Sequence, residues 1–164
     1  VAFAWEFGGD FGSNRLIRIP YTDGSSSTME ANTGLYLSIG AAFLPLLEDR
    51  LRTWATIGVK YTGTSASNGS IDYYSFPFEL LETVDVKPLR LGAGLYVPLG
   101  ATMKGSGSAS SVNRNFDTTL GYTVRAEWLL GPYGIGVRYI WSQLQEPGST
   151  VDGPAFGLYV AGIL

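Results

Sequence analysis

The sequence alternates with a period of two over most of its length. That feature constrains the fold most, because successive side chains of a strand point to opposite faces. It begins at once: Phe3, Trp5, Phe7 and Phe11 fall on one face with Gly9 among them, and Ala4, Glu6, Gly8 and Asp10 fall on the other. A helix would scatter both sets around its circumference. The pattern returns over 35–43, 51–61, 74–80, 89–99, 116–128, 133–141 and 156–164, giving eight segments with no charge at an outward position. Long polar connections at 12–32, 62–71, 101–115 and 143–153 alternate with short ones at 45–50, 82–88 and 129–132. The expected fold is an all-β, eight-stranded antiparallel up-and-down barrel, with residues 1–164 as one domain and long loops gathered at one end.

The two faces are unequal in a way that decides which is inside. One face is built of Leu, Val, Phe, Tyr and Trp. The other is rich in glycine and small residues, and it carries ten charges: Glu6, Asp10, Glu79, Asp117 and Glu127 against Arg52, Lys60, Arg90, Arg125 and Arg138. Glycine offers nothing to a water-facing strand but suits a lumen short of space. The large apolar side chains of eight strands would overfill so small an interior, whereas facing lipid they need not interdigitate. The barrel is therefore expected inside out, as a membrane protein. Aromatic placement points the same way: Tyr61, Tyr74, Phe116, Tyr139 and Trp141 near the loop end and Phe3, Trp5, Phe43, Trp128 and Tyr133 near the turn end would form two interfacial girdles. Inward aromatics are expected at Tyr36, Trp54, Tyr73, Tyr96 and Tyr159. A soluble lipocalin-like ligand-binding barrel, with the apolar set inward, is the competing architecture.

Composition removes several function classes. Charged residues make up 15% of the chain, against roughly 25% in ordinary soluble domains. The net charge is −3 with no basic block, so nucleic acid is not an expected partner. Cysteine and histidine are both absent, which removes thiolate chemistry, the commonest general base and the commonest metal ligand. Asp10, Asp23 and Glu30 offer only a weak oxygen set for calcium, and Asn68-Gly69-Ser70 reads as a turn. No cofactor, metal or catalytic group is expected. The lumenal charges are the constellation that matters. Either they pair and plug the barrel, or they line a gate or narrow conductive path. With a turn centred near Asp85, Glu79 and Arg90 are expected opposite one another as a cross-strand pair, with Glu127 and Arg125 or Arg138 extending the network.

This arrangement resembles the small eight-stranded bacterial outer-membrane proteins, such as the barrel domain of outer-membrane protein A, outer-membrane protein X and their relatives. The resemblance is architectural and covers nearly the whole chain, although Leu164 stands where a terminal phenylalanine is common in that class. It implies a Gram-negative outer-membrane location in a mature form whose signal peptide has been removed. The implied partners are outer-membrane lipid, lipopolysaccharide and extracellular molecules met by the long loops. Enzymes of this architecture rely on histidine, so a non-enzymatic scaffold with a charge-plugged lumen is the primary expectation. A narrow channel or transporter for small or apolar solutes, similar to the outer-membrane protein W class, is the alternative.

Overall fold

The structure is a computed structural model that describes residues 1–20, 24, 26–43, 51–66 and 68–164. Among these residues, eight long strands form the barrel: β1 (Ala2–Gly12), β2 (Gly34–Phe43), β3 (Leu51–Ala66), β4 (Gly69–Val86), β5 (Leu89–Gly107), β6 (Gly121–Leu130), β7 (Tyr133–Trp141) and β8 (Ala155–Ile163). Each pairs antiparallel with its neighbours in the chain. β1 closes on β8 in a register running from Ala4–Ile163 to Gly12–Ala155. Closure leaves no open sheet edge, which lipid demands because it offers backbone N–H and C=O groups no partner.

The faces are inside out. Phe7, Leu37, Ile57, Val137 and Leu158 lie 40% or more exposed on the outer surface, whereas Glu6, Lys60, Arg125 and Arg138 are 5% or less exposed within. A soluble barrel with its apolar set inward is excluded by this orientation. The apolar band is lipid-facing, and the fold is a transmembrane barrel.

Three expectations of extent and register need correction. The connections expected at 62–71 and 101–115 are largely strand. The β3–β4 ladder continues to Ala66–Gly69, and β5 runs to Gly107 before Asn113–Asn115 folds back on it. Loss of the apolar outer face had marked the strand ends, but that loss marks the edge of the membrane. Pairing carries on above it, where water replaces lipid. The loops at 12–32 and 143–153 likewise contain short hairpins, Arg15–Pro20 with Ser26–Glu30 and Gln143–Glu146 with Ser149–Asp152.

The second correction concerns β5. Its register on β4 slips between Tyr74–Thr102 and Phe76–Leu99, where Gly100 takes φ +56°. This bulge inserts one residue, so parity reverses and Ala101 and Met103 turn inward. Third, β4 extends to Val86, so Glu82 is exposed on the outer face near the turns, where it accepts a 2.6 Å hydrogen bond from the Thr53 hydroxyl. The turn expected at 45–50 lies outside the described residues, as does Asp23.

The lipid-facing assignment predicts a specific penalty. Val137→Arg on β7, flanked by Leu158 and Ala126, should cost about 2–4 kcal/mol if it sits near the bilayer midplane. Reversible urea unfolding in lipid vesicles reads this as a lowered midpoint, while Asn113→Arg in the third loop should leave it within about 0.5 kcal/mol.

Candidate functional site in the barrel lumen

The inward faces of six of the eight strands each contribute one or two ionic residues to a lumen too narrow to hydrate them separately, and β2 and β8 contribute none. β1 supplies Glu6 and Asp10, β3 Lys60, β4 Glu79, β5 Arg90, β6 Arg125 and Glu127, and β7 Arg138, all buried. Four carboxylates meet four cations, so the buried set is neutral.

At the centre lies a closed ring. Arg125 donates to Glu6 at 2.6 Å and to Glu79 at 2.8 Å, and Arg138 donates to the same two carboxylates at 3.0 and 2.5 Å. Arg125 and Arg138 stand directly opposite in the β6–β7 ladder, where like charges would repel without the acids between them. Glu79 comes from β4, three strands removed from both β1 and β7 around the barrel. Its bonds therefore cross the lumen and bridge it. Tyr36 completes the centre: its hydroxyl donates to Glu6 at 2.6 Å, and the Arg138 guanidinium lies 3.7 Å from the centroid of its ring.

The network extends toward both ends. On the loop side Asp10 accepts a pair of bonds from Arg138 at 2.9 and 2.7 Å and is held by Lys60 at 2.5 Å. Lys60 also donates to the Tyr96 hydroxyl at 3.0 Å. On the turn side Arg90 grips Asp85 through two bonds of 2.6 and 3.1 Å and reaches Glu127 at 3.1 Å. The Tyr159 hydroxyl donates to Glu127 at 3.3 Å, and Trp54 lies under the Arg90 guanidinium at 5.3 Å.

Above the ionic layer the lumen changes character. Ile71, Tyr73, Ala101 and Met103, on the stretches of β4 and β5 toward the loops, pack against Leu16 and Met29 of the first loop, Phe116 of the third and Leu144 of the fourth. The loops thus close over an apolar cap. Asn32, in the left-handed conformation that asparagine tolerates (φ 59°), pins the first loop to the fourth by donating to Ser142 at 2.5 Å and to the Gly153 carbonyl at 2.6 Å. Arg114 ties the third loop to the fourth through Glu146 at 2.7 Å.

Several expected positions fall elsewhere. Glu79 faces Tyr96 across the β4–β5 ladder, and Arg90 faces Asp85, because the turn is centred at Lys87–Pro88, two to three residues beyond Asp85. Arg52 is half-buried near the turns, 3.6 Å from Asp85. Asp117 is exposed and joins the fourth loop by a backbone bond to Gln145. Phe116, expected on the loop-end girdle, is 6% exposed and packs beside Tyr73 at 6.4 Å. Its segment leaves the wall before β6 begins at Gly121. Asp10, considered for calcium, is occupied by Lys60 and Arg138, and Glu30 is exposed opposite Arg15.

The other positions are placed as follows. Tyr36, Trp54, Tyr73, Tyr96 and Tyr159 are buried inward. Phe3, Phe43, Tyr61, Trp128, Tyr133 and Trp141 are exposed on the outer face, while Trp5, Tyr74 and Tyr139 are partly covered there. Two features escaped the sequence reading: Asp85 as an ionic partner, and the apolar cap. The cap's signal was the apolar residues within the long connections: Leu16, Ile17 and Met29 in the first, Leu144 and Val151 in the fourth.

No family model and no curated protein matches the chain. Among solved structures, Neisserial surface protein A aligns over 99% of this chain and 96% of its own, at 13% identity and a TM-score of 0.54. Ail, the attachment invasion locus protein of Yersinia pestis, solved with the heparin analogue sucrose octasulfate, aligns over the same shares at 16% identity and a TM-score of 0.59. At these identities the likeness is one of fold, and the fold it shows is the small bacterial outer-membrane barrel.

The ring makes Arg138 the member most costly to lose, because it faces Glu6, Glu79 and Asp10 together. Arg138→Met should destabilise the barrel by about 3–5 kcal/mol, the cost of leaving buried charge unpaired. Adding Asp10→Asn should recover part of that loss. Urea midpoints of the single and double variants should therefore be non-additive, and additive losses would mean the charges are not coupled.

Proposed function

We propose that the chain is an occluded, non-enzymatic barrel of a Gram-negative outer membrane, and that its work is done by the loops it holds above the lipid surface. The observation that carries this reading is the filled lumen. The Arg125–Glu6–Arg138–Glu79 ring spans it, and the apolar cap of Leu16, Met29, Met103, Phe116 and Leu144 closes it at the loop end. A solute crossing the barrel would have to break buried ion pairs and separate packed loops in turn. The fold neighbours support an outer-membrane setting with loops turned outward.

The loops suit contact with large partners. Arg15, Arg18 and Lys104 are exposed on hairpins held in place by the shared cap and by the Asn32 and Arg114 ties. Held this way, they present a fixed surface, which lowers the ordering cost of binding. Lipopolysaccharide and extracellular macromolecules are the partners this position offers.

The orientation is open to direct test because the chain contains no cysteine. In intact cells a membrane-impermeant maleimide should label Ser149→Cys in the fourth loop and spare Lys87→Cys in the β4–β5 turn until the outer membrane is opened. The reverse pattern would place the loops in the periplasm and overturn the proposal.

A further inference from the structure

The outer wall carries a cavity that the lumen account does not use. Where β6 and β7 meet the first and fourth loops, a cavity of about 460 Å³ opens on the lipid-facing surface. Tyr122, Tyr139 and Trp141 form its aromatic side, and Asn14, Gln143 and Asp152 its polar side. The aromatic side is presented, since Tyr122 is 56% and Trp141 48% exposed. Tyr139 stands edge-on to Trp141 with ring centroids 4.5 Å apart.

The polar side is held in place. The Gln143 amide donates to the Asp152 carboxylate at 2.9 Å, and Asn14 donates to the Asp152 carbonyl at 2.9 Å. A second groove of about 220 Å³ shares Tyr139 with the cavity and follows the barrel wall over Val124, Val137 and Phe156. The pair is shaped for an amphiphile: a polar-and-aromatic chamber beside an apolar groove, with Tyr139 lining both.

The chemistry of the chamber selects the headgroup. Among the described residues that line it none is basic, and Asp152 supplies negative charge. A phosphate would therefore find no counter-ion and one repulsive carboxylate. A sugar ring would find aromatic faces for its C–H surface, together with a carboxylate and two amides for its hydroxyls. We propose that this cavity binds an outer-leaflet lipid with an uncharged sugar headgroup. The sugar lies against Trp141 and Tyr122, and an acyl chain lies in the groove beside Val137. The proposal rests on the outer-membrane reading above, since it needs this end of the wall in a lipid leaflet.

The test uses the barrel in phosphatidylcholine nanodiscs doped with a diacyl glucosyl lipid or, separately, with phosphatidylglycerol, and counts retained lipid by native mass spectrometry. The expected result is one glucosyl lipid per barrel, retained about ten-fold better than phosphatidylglycerol. Trp141→Ala and Gln143→Ala should each erase the preference, the size of loss that removing one anchor brings. Phe7→Ala, on the outer face of β1, should leave it intact. Equal retention of the two lipids, or an unchanged preference in Trp141→Ala, would overturn the site while leaving the membrane barrel standing. A barrel that never inserts, showing no heat-dependent gel shift, would overturn the outer-membrane reading and this site with it.

Discussion

The Arg138 guanidinium is fully buried in a lumen too narrow for bulk water, and the rest of the interior is arranged around that fact. Its charge is met by Asp10, Glu6 and Glu79 at 2.5–3.0 Å, and those acids require Lys60 and Arg125 in turn. Neutrality is not incidental. An uncompensated ion in such surroundings costs several kcal/mol, so each charge on one strand fixes the need for an opposite charge on another. The small residues of the inner face follow from the same crowding. A Cβ at Gly157 would run into the Asp10 carboxylate and the Arg138 side chain, and one at Gly134 would strike Glu127.

The outer face obeys a different solvent. Lipid leaves packing undemanding but permits no open hydrogen bond, so closure of β1 on β8 matters there more than side-chain fit. Where the strands rise out of the lipid, apolar groups return to the inside, as in a soluble protein. Ile71, Tyr73 and Met103 change the lumen from ionic to apolar just beyond the bulge in the β4–β5 ladder. The barrel is thus two structures end to end, an ionic plug in the membrane and a small hydrophobic core holding the loops above it.

Much of this was legible in the sequence, because period two assigns each residue to a face without knowledge of the neighbours. Strand number followed from that alternation, and inside-out polarity from the glycine and charge on one face against the bulky apolar side chains of the other. What stayed hidden depended on register. Misplacing the β4–β5 turn by two to three residues was enough to pair Glu79 with Arg90, when Arg90 in fact holds Asp85. The bulge at Gly100 reversed the parity of Met103 with no signal beyond one glycine. Phe116 was assigned by extending β6 backward, yet its segment bonds to Ala101 and the fourth loop instead. Partners across the lumen, such as Glu79 with Arg138, lie 59 residues apart in the chain and are set by the closed geometry, which alternation cannot reveal.

Occlusion is the claim on which the functional account turns, and planar-bilayer recording measures it directly. The purified protein should insert without conductance steps, because the Arg125–Glu6–Arg138–Glu79 ring and the apolar cap leave no continuous aqueous path. Stable, reproducible steps from the unmodified chain would contradict the account and make the same charges the lining of a pore.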